Sequence, residues 1–170
     1  MRFALGFGFL LLISGLSGCA GYRLGPSNGM AAGSRSIQVD LFQNRTLEPR
    51  LTEALGIALR RTLQQDGTYK LNTQRGGDIV LTGVLTGYDR IGLSFKPSDI
   101  LSVRDFELRL YAHITAVDRS SGRMILEKDV QGRTTLRPGL DLSSAERQAV
   151  PLLAQDLARN ITSLLADGSW

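Results

Sequence analysis

The sequence predicts an α+β fold, a two-layer α/β sandwich with two helices packed on one face of a mixed sheet of about four strands. Three observations predict it. Two segments, near residues 49–65 and 143–165, repeat apolar residues at three- and four-residue steps. Several others alternate apolar and polar residues with a period of two, the strand signature. The order strand, helix, strands, helix then sends both helices to the same side of the sheet.

The elements follow in chain order. Ile37-Gln38-Val39-Asp40-Leu41 alternates and reads as a strand with one buried face, and Asn44 and Thr46 make the turn after it. Pro49 suits the first turn of a helix, where its missing N–H costs nothing. That helix carries Leu51, Leu55, Leu59 and Leu63 in one stripe and ends at Asp66-Gly67, with Gly67 as a left-handed cap. Tyr69-Lys70-Leu71 is a short strand candidate. Residues 78–89 form a longer strand, with Ile79, Leu81 and Leu85 on one face and Val80, Val84 and Tyr88 on the other; two apolar faces predict cover on both sides. Residues 90–101 break the alternation and contain Gly92 and Pro97, so they read as a loop or frayed hairpin tip.

Residues 102–117 give the clearest strand. Phe106, Leu108, Leu110, Ala112, Ile114 and Ala116 fill one face; Asp105, Glu107, Arg109, Tyr111, His113 and Thr115 fill the other, which is wet or turned to a partner. Asp118-Arg119-Ser120-Ser121-Gly122 turns the chain into an antiparallel strand over residues 123–135. Ser143-Ser144-Ala145-Glu146 reads as a capping box opening the last helix. Pro151 predicts a kink there, or a short first helix ending near Ala149.

The N-terminus carries a separate signal. Met1-Arg2 supplies a positive charge, residues 3–16 are apolar or small, and Leu16-Ser17-Gly18-Cys19 closes the run. The stretch is too short for a membrane span of about 20 residues and has the layout of a secretory signal. It resembles the lipobox of bacterial lipoproteins, so residues 1–18 are expected to be a signal peptide and Cys19 the lipidated residue. Residues 19–35 form a tether rich in Gly, Ser and Ala, and 36–170 the α/β domain. Cys19 is the sole cysteine, which excludes an internal disulfide. Acyl chains contribute about 0.8 kcal/mol per buried methylene, so two or three of them anchor durably. Ala20 is not the aspartate that retains lipoproteins at the inner membrane, and this resemblance implies the outer membrane, periplasmic side.

Charge and chemistry point away from catalysis. Lys+Arg is 20 against 16 for Asp+Glu, a mild excess of +4 that does not argue for nucleic acid. His113 is the single histidine, so a histidine-rich metal site is excluded. No G-x-S-x-G is present, and Gly76-Gly77-Asp78 precedes a strand where a phosphate loop needs a helix. Asp105 and Glu107 share a strand face with Arg109 and read as a salt-linked surface, not as a catalytic carboxylate pair. The expectation is a binding or assembly protein without cofactor, not an enzyme.

Several segments together resemble the LPS-assembly lipoprotein family, LptE. They are Gly21-Tyr22-Arg23-Leu24, the run from Ile37 to Pro49 with the helix after it, Gly77-Asp78-Ile79-Val80-Leu81-Thr82-Gly83, and Phe106-Glu107-Leu108-Arg109-Leu110 with the Val117–Gly122 turn. The match spans nearly the whole chain after the lipobox, and order rather than any single motif carries it. The resemblance implies two helices on a four-stranded sheet. It also implies a lipoprotein that plugs the LptD β-barrel, helps it fold and contacts lipopolysaccharide, with membrane attachment through the N-terminal lipid. In the family, basic residues near the hairpin tip and ahead of the last helix contact lipopolysaccharide. Lys96 occupies the matching place in the loop, and Arg137 is the nearest basic residue before the last helix, although the local match there is poor. Arg90, Arg104 and Arg133 add to the patch if the loops converge. A competing expectation is a different assembly lipoprotein, such as an outer-membrane activator of cell-wall synthases, which shares the lipobox, tether and α/β domain.

Overall fold

The computed structural model describes residues 31–96, 99–138 and 141–168, apart from the side chains of 95–103. The expected signal peptide, Cys19 and most of the tether lie outside the described residues. The elements are β1 (Ser36–Val39), β2 (Gln43–Asn44), α1 (Leu51–Asp66), β3 (Lys70–Asn72), β4 (Ile79–Lys96), β5 (Asp99–Asp118), β6 (Met124–Leu136) and α2 (Leu142–Asp167). The strands form one mixed sheet in the order β3-β1-β4-β5-β6, with β2 also paired to β4. The fold class is the one expected, but the sheet has six strands instead of about four. β2 holds only two residues, too few to show any alternation in the sequence.

Both helices cover one face. Leu51, Leu55, Leu59 and Leu63 of α1 are at most 1% exposed and meet the β1–β3 side of the sheet. Leu153, Leu157 and Ile161 of α2 are fully buried over β6 and β5. Opposite them stand Leu108, Leu110 and Ile114, also fully buried. Each such side chain stabilises by about 1.5–3 kcal/mol relative to exposure. Gly67 closes α1 in the left-handed region at φ 73°, its N–H donating to the Leu63 carbonyl.

The last helix departs from expectation twice. Its cap is Asp141, whose carboxylate accepts the N–H groups of Ser143 and Ser144. The capping box is not formed; Glu146 pairs instead with Arg90 on β4. At Pro151 the second of the two alternatives, a short first helix ending near Ala149, is overturned, since α2 runs unbroken through it. Proline deletes the N–H that would reach the Arg147 carbonyl. Ala149, Val150, Leu153 and Ala154 are buried on either side of it, and that packing holds the helix together.

A β-bulge between Leu85 and Gly87 changes which face of β4 is buried. Below it, Ile79, Leu81 and Leu85 point to the helices. Above it, Tyr88 lies opposite Leu110 and Arg90 opposite Leu108, so these two turn to the helix side. Strict alternation had placed Tyr88 on the other face. Val80 and Val84 stay on that other face, half-buried, opposite Val117 and His113. Among the described residues no helix covers them, in contrast to the expectation of cover on both sides.

Residues 90–101 are mostly strand and form the irregular end of the β4-β5 hairpin, the second of the two alternatives, and not a loop. β4 continues to Lys96 and β5 begins at Asp99, with register irregularities between Gly92 and Lys96. Those irregularities are what hid the strand, because they break the period-two pattern.

Two close approaches fix the layers. Gly132 of β6 lies under α2, where a Cβ would come within 2.6 Å of the Leu157 backbone nitrogen. Beside it, the Arg133 N–H donates to the Asp156 carboxylate at 2.9 Å, and the Asn160 amide donates to the Gln131 carbonyl at 2.8 Å. The helix thereby satisfies part of an edge that would otherwise invite strand pairing. At the opposite pole, the Asp118 carboxylate accepts from the Ser120 hydroxyl and the Ser121 N–H and pairs with Arg35. These contacts hold it well below the usual carboxylate range.

Candidate functional site

Among the described residues nothing covers the polar face of the β4-β5-β6 sheet or the shoulder where the β4-β5 hairpin rises past the end of β6. Each follows from alternation. Along β5, the residues between the buried apolar ones must point away from the helices. Asp105, Glu107, Arg109, Tyr111, His113 and Thr115 do so, half-buried among their cross-strand neighbours. The wet or partner-facing side predicted for this strand is therefore present.

The register defines what each polar residue meets. His113 lies opposite Asp129, and its Nδ1 is 2.8 Å from the Asp129 carboxylate while Nε2 is 3.2 Å from Glu127. The hydrogen bond to Asp129, then that to Glu127, raises the imidazole pKa above its ordinary value. Arg109 pairs with Glu107 along its own strand. It also lies directly opposite Arg133 on β6 and Asp89 on β4. Tyr111 covers Gly87, where a Cβ would come within 3.2 Å of the ring.

The shoulder is organised by one carboxylate. Arg137 Nε donates to Asp105 Oδ1 at 2.7 Å, the Ser94 hydroxyl donates to Oδ2 at 2.6 Å, and Arg104 Nε stands 3.9 Å from Oδ2. The Arg137 hydrogen bond, then that from Ser94, lowers the Asp105 pKa. Arg137 remains 63% exposed in its side chain and Arg104 50%, so both can still meet an external anion. Arg90 pairs with Glu146 and lies 5.9 Å over the Phe106 ring.

The five basic residues singled out in the sequence are therefore not one patch. Arg104 and Arg137 meet at Asp105, whereas Arg90 lies on the helix side of the sheet, paired with Glu146 and over the Phe106 ring. Arg133 stands four residues below Arg137 on β6, about 13 Å at strand rise. Lys96 ends β4, paired with Asp99 in the hairpin, and its side chain lies outside the described residues. Sequence reasoning missed Arg109 as the neighbour of Arg133 and Glu146 as the partner of Arg90. Alternation had already put Arg109 on the correct face, but the cross-strand register needed to see the pair is a tertiary fact. Among the described residues no group of three or more acidic, histidine or cysteine side chains is placed to hold a metal ion.

A helix-backed sheet with one polar, uncovered face and a charged hairpin arm defines a binding or assembly module. A sequence profile of the lipopolysaccharide-assembly family LptE matches residues 34–165, and the chain belongs to that family. At the level of the family it is thus a lipopolysaccharide-assembly lipoprotein, associated with the lipopolysaccharide transport machinery. No curated protein sequence matches it. Solved structures share the fold at low identity. A DUF330-family protein from Xanthomonas campestris superposes with a TM-score of 0.62 at 10% identity, covering 87% of this chain and 93% of its own. A protein from Chlamydia trachomatis gives 0.57 at 11%, covering 78% and 96%. A minor lipoprotein from Acinetobacter baumannii gives 0.51 at 14%, covering 78% and 92%. Among the described residues, no helix is long and apolar enough to cross a membrane.

Proposed function

We propose that this lipoprotein, anchored through Cys19 to the periplasmic side of the outer membrane, plugs an LptD-type β-barrel and contacts lipopolysaccharide on its way to the outer leaflet. It works without catalysis. The observation that carries this reading is the uncovered sheet face. Its Asp89, Arg109, His113, Glu127 and Asp129 suit the polar interior of a large outer-membrane barrel, where charged side chains find partners or water.

The length of the hairpin supports the same reading. β4 has 18 residues. At about 3.3 Å each they reach roughly 60 Å if straight, more than the 40–45 Å of a bilayer with its headgroups. The tip points away from the end at which the chain enters β1, so a plug tethered at the inner leaflet reaches the outer one. The shoulder arginines Arg104 and Arg137, with Lys96 above, Arg133 below and Arg90 on the helix side, supply the cations for lipid A phosphates, since guanidinium–phosphate hydrogen bonds are strong and often bidentate.

Photo-crosslinking tests the docking face. A crosslinking amino acid at Gln131, on the open face, should capture a barrel protein in outer membranes, whereas one at Gln64, on the exposed side of α1, should not. Equal capture at both positions would count against this orientation. Anchoring is tested by Cys19→Ser, which should leave uncleaved precursor or mislocalised protein; acyl label on that variant would remove the lipobox assignment.

A further inference from the structure

The outer surface of the helix layer holds a groove that plays no part in the function proposed above. α1 and α2 run in parallel: residues 50–62 face 147–155 at one end, and 62–68 face 155–167 at the other. Between them lies an open groove of about 550 Å³, within the roughly 300–1,000 Å³ typical of small-ligand sites. Its floor is apolar: Ala54 and Ala58 keep it low, and Ile57 and Leu152 stand 61% and 55% exposed along it. Its rim is basic. Arg50 and Arg147 line its N-terminal end and Arg61 the wall further down, against the single carboxylate of Glu53. Among the described residues, Arg50 and Arg61 enter no ion pair, and Arg147 donates to the Ser144 hydroxyl at 2.7 Å with its one ion-pair partner, Asp141, 3.9 Å away.

We propose that this groove binds an anionic phospholipid, laying one acyl chain along Ala54, Ile57 and Leu152 with its phosphate between Arg50 and Arg147. Shape and charge together select that occupant. Exposed isoleucine and leucine in one strip favour an apolar chain. The paired guanidinium groups at one end match a single phosphate head. The positive end of α1, which no side chain caps, adds to the attraction there. Lipopolysaccharide, with several acyl chains and more than one phosphate, exceeds a single strip with one pair of cations at its end.

The test uses the full chain in detergent micelles and phosphatidylglycerol bearing a photoreactive diazirine in one acyl chain. Mass spectrometry should find the label concentrated on residues 54–58 and 150–155. Excess unlabelled phosphatidylglycerol should lower it about tenfold, while phosphatidylcholine leaves it unchanged. Arg50→Glu with Arg147→Glu should reduce it similarly, and Ile57→Ser, at an exposed position, should do so without touching the core. Label on Leu41 and Leu47, exposed leucines outside the groove, equal to that on Ile57 would overturn the proposal, as would competition by lipopolysaccharide as strong as by phosphatidylglycerol. The wild-type label map decides even if a variant does not fold.

Discussion

Arg137 and Asp105 are joined at 2.7 Å, so the basic residue nearest the last helix is already engaged by a carboxylate of the hairpin. An anion arriving there competes with Asp105 for Arg137. Asp105→Asn should therefore free the guanidinium and raise lipopolysaccharide binding severalfold, while Lys96→Asp with Arg137→Asp should reduce it and leave barrel capture intact. Lipid bound per captured barrel is the measure. Unchanged binding in both variants would remove the shoulder from the lipid path.

Leu110 and Arg109 are neighbours in sequence on opposite faces of β5. Leu110 is fully buried against the helices, so Leu110→Ala should cost about 2–5 kcal/mol in a urea melt. Arg109→Ala removes a half-exposed ion pair and should cost well under half as much. Equal losses would mean that the register of β5 is wrong.

Gly132→Ala should destabilise the domain by about 1–3 kcal/mol, because the added methyl meets the Leu157 backbone, which cannot rotate away as a side chain can. Helix α2 would have to lift from β6, loosening the Asp156 and Asn160 bonds that cover the strand edge. A melt unchanged by this substitution would contradict the close packing of α2 on β6.

His113 should titrate above its ordinary value of 6.5, and Asp129→Asn should lower its pKa. Because the folded pKa is the raised one, the stabilisation it brings is fully present below about pH 6.5 and fades as pH rises through the folded value. An NMR titration of the imidazole reads this directly. A pKa at or below 6.5 in the wild-type domain would show that the Asp129 contact does not persist in solution.

Much of the fold was legible because burial repeats. The four leucines of α1 at steps of four, the Gly67 cap and the alternation of β5 each encode an element locally. What escaped depended on partners distant in sequence. The bulge after Leu85 moves Tyr88 and Arg90 to the helix face, and only pairing with Leu110 and Leu108 reveals it. Asp141 displaced the expected capping box because Glu146 had a partner on another element, Arg90. The sequence named candidate basic residues one by one, but not their grouping: that Asp105 gathers Arg104 and Arg137 depends on cross-strand register.

Affinity purification of the tagged, lipidated protein from outer membranes tests at once whether the open sheet face meets a β-barrel and whether the hairpin handles lipopolysaccharide. A β-barrel partner should be recovered in near-equal amount, with lipopolysaccharide bound to the complex. Recovery of a cell-wall synthase in place of any barrel would contradict the proposed function.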